Sequence, residues 1–126
     1  MKKENNTLRG VGNVSEDYAC KVLEKDGYCI LCRNYTCRGG ETDIIAAKGQ
    51  YLCFIEVKSR LKTTGNVAAE AVDEKKMEHM RRSAECFLEE YRENEYVSSL
   101  IPRFDVIEIY TQNGCVKTYN HLTGII

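Results

Sequence analysis

Three charged residues of this chain, Asp43, Glu56 and Lys58, have the types and spacing that suit metal-assisted chemistry on a phosphate group. Carboxylate oxygens are the ligands that Mg²⁺ and Mn²⁺ prefer. An ion held by two acids can lower the pKa of a bound water and neutralise charge on a phosphoryl oxygen. Lys58 could orient that water or hold the phosphate. Alternatively, it only balances the two acids when no metal is bound.

The two acids belong to two short segments that read as a β-hairpin. Residues 43–47 and 51–55 are apolar and partly β-branched, which is typical of strands. Gly49-Gln50 between them supplies a two-residue turn with glycine at its first position. Both faces of the hairpin are apolar, so we expect it to lie in the core with a layer packed on each side.

The register of this hairpin determines which charged residues face each other. If Lys48 pairs with Tyr51, then Asp43 lies opposite Glu56. Opposed residues on antiparallel strands have Cβ atoms about 4.5–5.5 Å apart, so these two carboxylates repel each other unless a cation lies between them. The alternative is a solvent-exposed strand end that carries these charges by chance.

The same register places Glu41 opposite Lys58. Together with Asp43 and Glu56, these residues form a predicted cluster of charges at the open end of the hairpin.

The rest of the chain predicts an α/β fold with the element order α-β-β-β-α-β-β, a mixed sheet flanked by helices. We expect residues 1–12 to be a flexible N-terminal segment and residues 13–126 to form a single domain. The predicted elements are a helix from 13–16 to Gly27, a strand over 28–34, the hairpin, a helix that begins between 68 and 73 and ends near Tyr91, and strands over 103–110 and 115–119 joined at Asn113-Gly114.

Glu16 has two interpretations. It lies one helical turn before Ala19 and Cys20, on the side that faces the core, where it could add a third acid to the metal site. The other interpretation is a capping box, in which Asn13 and Glu16 satisfy backbone groups at the helix start.

Composition narrows the class of protein. The chain has 126 residues and a net charge of −1, which argues against binding nucleic acid through bulk charge. It has no apolar run that could span a bilayer and no apolar segment behind the N-terminus, so we expect a cytoplasmic protein without a membrane partner.

Its seven cysteines include a Cys29-x-x-Cys32 pair with zinc-like spacing, but no second pair follows, which favours buried free thiols.

Several segments resemble the YraN-like family of small bacterial proteins: Glu16, residues 40–46 and residues 54–60. That family resembles the restriction-endonuclease-like superfamily, or PD-(D/E)XK nucleases, whose motif is an Asp followed by (Asp/Glu)-x-Lys. Its nearest characterised relatives are the archaeal Holliday-junction resolvases. The resemblance therefore implies a restriction-endonuclease-like core and Mg²⁺- or Mn²⁺-dependent cleavage of DNA, with branched DNA as a candidate substrate.

The resemblance also implies a role for particular residues. The implied metal ligands are Asp43, Glu56, Glu16 and the Val57 carbonyl; Lys58 is the implied catalytic lysine, and Glu41 an outer-shell group. A four-way junction has two symmetry-related scissile sites, so the resolvase resemblance further implies a homodimer. The strands around Val106 and Val116 are its predicted contact.

Several basic residues are candidates for contacts with DNA. Arg60, Lys62 and Lys76 are predicted to contact nucleic acid through its phosphates. Other lysines and arginines of the long helix alternate with acids, which is typical of a solvated helix face. The competing hypothesis is a non-catalytic nucleic-acid-binding or adaptor protein that retains the nuclease fold.

Overall fold

The described part of the chain forms one five-stranded sheet with helices on both faces. A computed structural model describes residues 14–61 and 73–126. The elements confirm the predicted order, with one short helix added before the fourth strand. They are α1 (Val14–Lys25), β1 (Cys29–Cys37), β2 (Gly40–Lys48), β3 (Tyr51–Leu61), α2 (Glu74–Glu90), α3 (Glu95–Ser98), β4 (Ile101–Gln112) and β5 (Cys115–Leu122).

The sheet has the spatial order β1-β2-β3-β4-β5. β3 and β4 run parallel, and the other neighbouring pairs are antiparallel. Parallel neighbours need a long connection from one end of the sheet to the other, and α2 lies within this connection. The mixed sheet predicted from the sequence is therefore confirmed.

The β2–β3 hairpin has the predicted register. Lys48 pairs with Tyr51 at the turn, and the ladder runs from there to the pair Ile44–Ile55. Gly49 has a φ of 60°, a left-handed conformation that glycine adopts without steric cost. A two-residue turn fixes the register of the strands that it joins, which is why the sequence sufficed here.

The two helices α1 and α2 cover opposite faces of the sheet. Ala19 and Leu23 of α1 are buried with one set of strand residues, and Ala84 and Phe87 of α2 with the other. Successive strand residues alternate between the two clusters, as expected from the pleat. On the α1 side these are Ile44, Ala46, Cys53 and Ile55; on the α2 side they are Ile45, Ala47, Leu52 and Phe54.

Asp73 sets where α2 begins, and Gly40 sets how closely α2 approaches the sheet. Asp73 caps the helix by accepting a hydrogen bond from the Lys76 backbone N–H at 2.8 Å. At Gly40, a Cβ atom would lie 2.6 Å from the backbone nitrogen of Ser83. The start of β2 and the backbone of α2 approach so closely that only glycine fits between them.

Some expectations fail, and others lie outside the described residues. All seven cysteines are free, but Cys29 and Cys115 are exposed, so a buried-thiol interpretation is wrong for those two. Val106 is 3% exposed within the chain, whereas Val116 of the same predicted dimer contact is half-buried, so the contact stays a prediction. Within 14–61 and 73–126, no helix is long and apolar enough to cross a membrane. Outside these ranges lie Lys62, the segment 1–12 and the proposed cap at Asn13.

Candidate functional site

Asp43 lies where β2 separates from β3. The last pair of the ladder is Ile44 with Ile55. One residue further, the Asp43 carboxylate accepts a hydrogen bond from the Val57 backbone N–H at 2.8 Å. A side chain thus replaces the strand-to-strand hydrogen bond and holds Asp43 beside the Glu56–Lys58 segment.

The alternation of faces along β2 is interrupted at the same residue. Thr42 is buried and its hydroxyl pairs with that of Ser83 in α2, whereas Ile44 packs on the α1 side. Residues two apart in a regular strand would share one face. Thr42 and Ile44 therefore lie against different helices, on either side of Asp43.

Glu56 is an almost fully buried acid, with 6% of its surface exposed. Its Oε2 lies 3.4 Å from the Lys76 ammonium, and its Oε1 has no hydrogen-bond partner among the described residues. Burial raises the pKa of Glu56, and the positive charges of Lys76 and Lys58 act against this rise. A buried polar atom is normally hydrogen-bonded, so the unpartnered oxygen indicates a place for a further cation or donor.

Asp43 and Glu56 influence each other strongly. Burial and, next, the Glu56 charge raise the pKa of Asp43 to about 6, although the Val57 N–H lowers it. Two carboxylates in a poorly hydrated site favour a shared proton or a bound cation. The expected proximity of these two acids is therefore found.

Lys76 reaches into the site from the first turn of α2. Its ammonium lies 3.1 Å from Glu41 Oε2 as well as 3.4 Å from Glu56. Glu41, expected to face Lys58, thus contacts Lys76, and it also lies 4.0 Å from the His79 ring. A depression of about 210 Å³ opens here, lined by Glu41, Asp73, Lys75, Lys76 and His79.

Lys58 lies two residues beyond Glu56 on the same face of β3. It is partly buried, and its charge is close enough to lower the pKa of Glu56. In the parallel ladder its register partner is Glu108 of β4. Lys58 therefore lies near Glu56 and also beside β4. The sequence spacing does not reveal that β4 is the neighbour of β3.

Glu108 is a site neighbour that the sequence-based reasoning missed. It is 1% exposed, accepts a hydrogen bond from the Tyr110 hydroxyl at 3.1 Å and lies 3.4 Å from Arg60 Nε. The sequence does contain a signal for it, because Glu108 lies between Ile107 and Ile109. An acid inside an apolar strand is expected to be buried with a polar or charged partner. Arg60, predicted to bind phosphate, has a side chain only 15% exposed and is committed in part to Glu108.

Glu16 lies at the start of α1, and its carboxylate is 3.6 Å from Arg33. The hydroxyls of Ser15 and Ser59 are 3.0 Å apart, which brings this end of α1 beside β3 just past Lys58. Across the described residues, no three His, Cys, Asp or Glu side chains are grouped to hold a metal ion. A metal-bound role for Glu16, like that of the Val57 carbonyl, stays a prediction.

A second buried acid, Asp105 in β4, provides a contrast. Its two oxygens accept hydrogen bonds from Arg103, from the Gly124 N–H and at 2.9 Å from His121. Burial would raise its pKa, but the partners, His121 first, hold the pKa of Asp105 below its usual range. Asp105 is thus satisfied as a structural acid, whereas Glu56 is not.

The comparison with known proteins agrees with the resemblance seen in the sequence. Residues 15–109 match the model of a family described as uncharacterised protein family UPF0102. The chain belongs to this family. The matched range includes every described residue of the site, from Glu16 to Glu108.

Three UPF0102 proteins illustrate how far the similarity extends. A protein of Caldanaerobacter subterraneus subsp. tengcongensis is 37% identical over 97% of both chains. One of Caldicellulosiruptor saccharolyticus is 39% identical over 81% of this chain and 83% of its own length. One of Clostridium perfringens is 41% identical over 86% of this chain and 84% of its own. The similarity to these UPF0102 proteins therefore spans most of the chain.

Proposed function

We propose that this protein is an endonuclease that hydrolyses DNA phosphodiester bonds with Mg²⁺ or Mn²⁺, acting on branched DNA as a homodimer. The observation that carries the proposal is the pair Asp43 and Glu56. They are adjacent, poorly hydrated carboxylates, and the Glu56 Oε1 atom has no hydrogen-bond partner among the described residues. Lys58 stands two residues away on the same face.

The residues present fit a divalent ion. Asp43 and Glu56 offer hard oxygen ligands, and Mg²⁺ is commonly held by one or two carboxylates with water completing its shell. The raised pKa of Asp43 has the same origin as an affinity for cations, because burial and a like charge both disfavour the bare carboxylate. A bound ion would supply a water of lowered pKa and neutralise charge on the phosphoryl group.

Residues of the chain would position the metal-binding carboxylates and stabilise the transition state. The Val57 N–H fixes the Asp43 carboxylate against β3, so the two acids keep one relative position. Lys58, on the same face as Glu56, would stabilise negative charge that develops on the phosphate in the transition state. Phe54 and Ile55, which precede Glu56 in β3, are fully buried, so water cannot reach the acids from the core side of the sheet.

The cations around the acids support a DNA substrate. Lys76 lines the depression beside Glu41 and would contact phosphates without reading sequence. The more distant pairs Arg81–Glu78 and Arg82–Glu85 are exposed neighbours on α2, as expected for a solvated helix face. Phosphate contacts are therefore proposed for the first turn of α2 and not for its whole length.

A nuclease screen tests the proposal. Wild type, Asp43→Asn and Glu56→Gln are incubated with four-way junction, flapped, single-stranded and linear DNA, with Mn²⁺, Mg²⁺ or a chelator. Glu78→Gln is the matched control, because Glu78 is exposed and paired with Arg81. We expect metal-dependent cleavage by wild type and Glu78→Gln, and a loss of about 10²-fold or more in the two site variants.

The competing adaptor hypothesis predicts a different result from the same screen. Wild type would then bind DNA and cut none of the substrates with either metal. Sedimentation of the wild-type protein at micromolar concentration checks the dimer separately, since cleavage by a monomer would contradict only that part of the proposal.

A further inference from the structure

Lys76 is the cation that α2 places among the acids of the candidate site. Its ammonium lies 3.4 Å from Glu56 Oε2 and 3.1 Å from Glu41 Oε2, and its charge also acts on Asp43. The lysine comes from a different layer of the fold than the acids, which belong to β2 and β3. The docking of α2 therefore adds a second positive charge near Glu56, beside that of Lys58, which the hairpin itself supplies.

The position of α2 holds this lysine in place. Asp73 caps the helix through the Lys76 backbone N–H, and Gly40 lets the helix backbone approach β2. The Lys76 side chain is 27% exposed, so it keeps an open side toward the depression. The flexible four-carbon stem of a lysine would let the ammonium turn from the acids toward this open side.

We propose that the Lys76 ammonium and a divalent cation are alternative partners of the Glu56 carboxylate, so that metal binding displaces Lys76 toward the depression. The inference rests on the metal site of the proposed function and adds its regulation. One ammonium and one divalent ion on the same buried acid repel each other, whereas the displaced lysine gains water and, in a complex, a DNA phosphate. Lys76 thus lowers the affinity for metal in the protein without DNA.

The opposite role makes the opposite prediction. If Lys76 is a structural partner that keeps Glu56 in position for the ion, removal of its charge would leave the affinity for metal unchanged or reduced. The two roles differ in the sign of one binding constant, which is measured without any cleavage assay.

Calorimetric titration of the metal-free protein with MnCl₂ separates the two roles. The variants are Lys76→Met, which removes the charge and keeps the apolar stem, and Lys76→Gln, which keeps a hydrogen-bond donor. Lys75→Met is the control, because it makes the same change in net charge at an exposed neighbour. The double variant Asp43→Asn/Lys76→Met tests whether any gain arises at this site.

Tighter Mn²⁺ binding by about tenfold in both Lys76 variants, absent in Lys75→Met and lost in the double variant, supports the inference. Melting temperatures with and without MnCl₂ give a second readout, and the metal-induced rise should be larger in Lys76→Gln than in wild type. Equal or weaker binding in the Lys76 variants, or an equal gain in Lys75→Met, overturns the inference and leaves the proposed metal site intact. Failure of every variant and wild type to bind millimolar Mn²⁺ overturns both.

Discussion

Asp43 accepts a hydrogen bond from the backbone N–H of Val57 at the point where the β2–β3 ladder has ended. Val57 stands between Glu56 and Lys58, so this single contact fixes the position of Asp43 relative to both. The position of Asp43 relative to Glu56 and Lys58 is therefore set by the backbone of β3.

Lys58 is predicted to act on the rate of cleavage. Lys58→Ala should lower the cleavage rate constant by about 10²-fold, the scale observed when one electrostatic stabiliser is removed. DNA affinity should fall only by the effect of one lost phosphate contact. Single-turnover cleavage and a DNA-binding titration measure the two quantities separately.

Lys117→Ala is the control for this change, because Lys117 is an exposed lysine of β5. It alters net charge equally and should leave the cleavage rate near that of wild type. If the two variants lose the same fraction of activity, Lys58 contributes through bulk charge and has no specific catalytic role.

The proximity of Asp43 and Glu56 could be predicted because it depends on local geometry. A two-residue turn at Gly49-Gln50 fixes the pairing of the strands on either side. The apolar alternation in both strands supports that same pairing, since a shift by one residue would expose the core face. Local chain geometry was therefore sufficient to predict that Asp43 and Glu56 lie close together.

The partners of these acids could not be predicted, because they come from distant segments. Lys76 reaches Glu56 only after α2 has docked across the sheet, and the helix position depends on the close approach at Gly40. The sequence predicts a phosphate contact for Arg60 but not its neighbour Glu108, because sequence spacing does not reveal the parallel pairing of β3 with β4. Such contacts depend on packing between layers.

Gly40 is predicted to position Lys76. In Gly40→Ala, the new Cβ would lie 2.6 Å from the Ser83 backbone nitrogen and 3.0 Å from the His79 carbonyl oxygen. Because backbone atoms cannot move aside as a side chain does, we expect α2 to shift and the protein to lose about 1–3 kcal/mol of stability. Urea unfolding measures this loss.

Gly114→Ala supplies the comparison for Gly40. Gly114 has open space around it and a φ of 78°, so its substitution costs only the strained backbone, about 1–2 kcal/mol. Both variants should be less stable than wild type, but only Gly40→Ala should change the affinity for Mn²⁺. An unchanged Mn²⁺ affinity in Gly40→Ala would show that Lys76 is positioned independently of this contact.

Asp43 is predicted to destabilise the metal-free protein at neutral pH. Its pKa of about 6 in the folded protein lies above the unfolded value, so the native state binds more protons between about pH 4 and 6. Wild-type stability arising from this group therefore falls as pH rises through that window. Asp43→Asn keeps an oxygen for the Val57 N–H and should be about 1–2 kcal/mol more stable than wild type at pH 7.5.

Denaturant unfolding at pH 4 and pH 7.5, in the presence of a chelator, checks this prediction. The advantage of Asp43→Asn should shrink toward zero at the lower pH, where the wild-type carboxyl is protonated in the folded state and about half protonated in the unfolded state. A loss of several kcal/mol at pH 7.5 would instead identify Asp43 as half of a structural ion pair.

Asp105 is predicted to show the opposite dependence on pH. Its carboxylate accepts hydrogen bonds from Arg103, His121 and the Gly124 N–H, and these partners keep its folded pKa below the unfolded value. The stabilisation is fully present above about pH 4 and is lost as pH falls through the folded pKa. Asp105→Asn replaces an acceptor oxygen by an amide that faces Arg103, so the variant should lose about 3–5 kcal/mol of stability at pH 7.

The deficit in stability relative to wild type, measured by urea unfolding, should narrow at acidic pH. A deficit that stays constant from pH 7 to pH 3 would mean that side-chain shape, and not charge, holds this end of the sheet together.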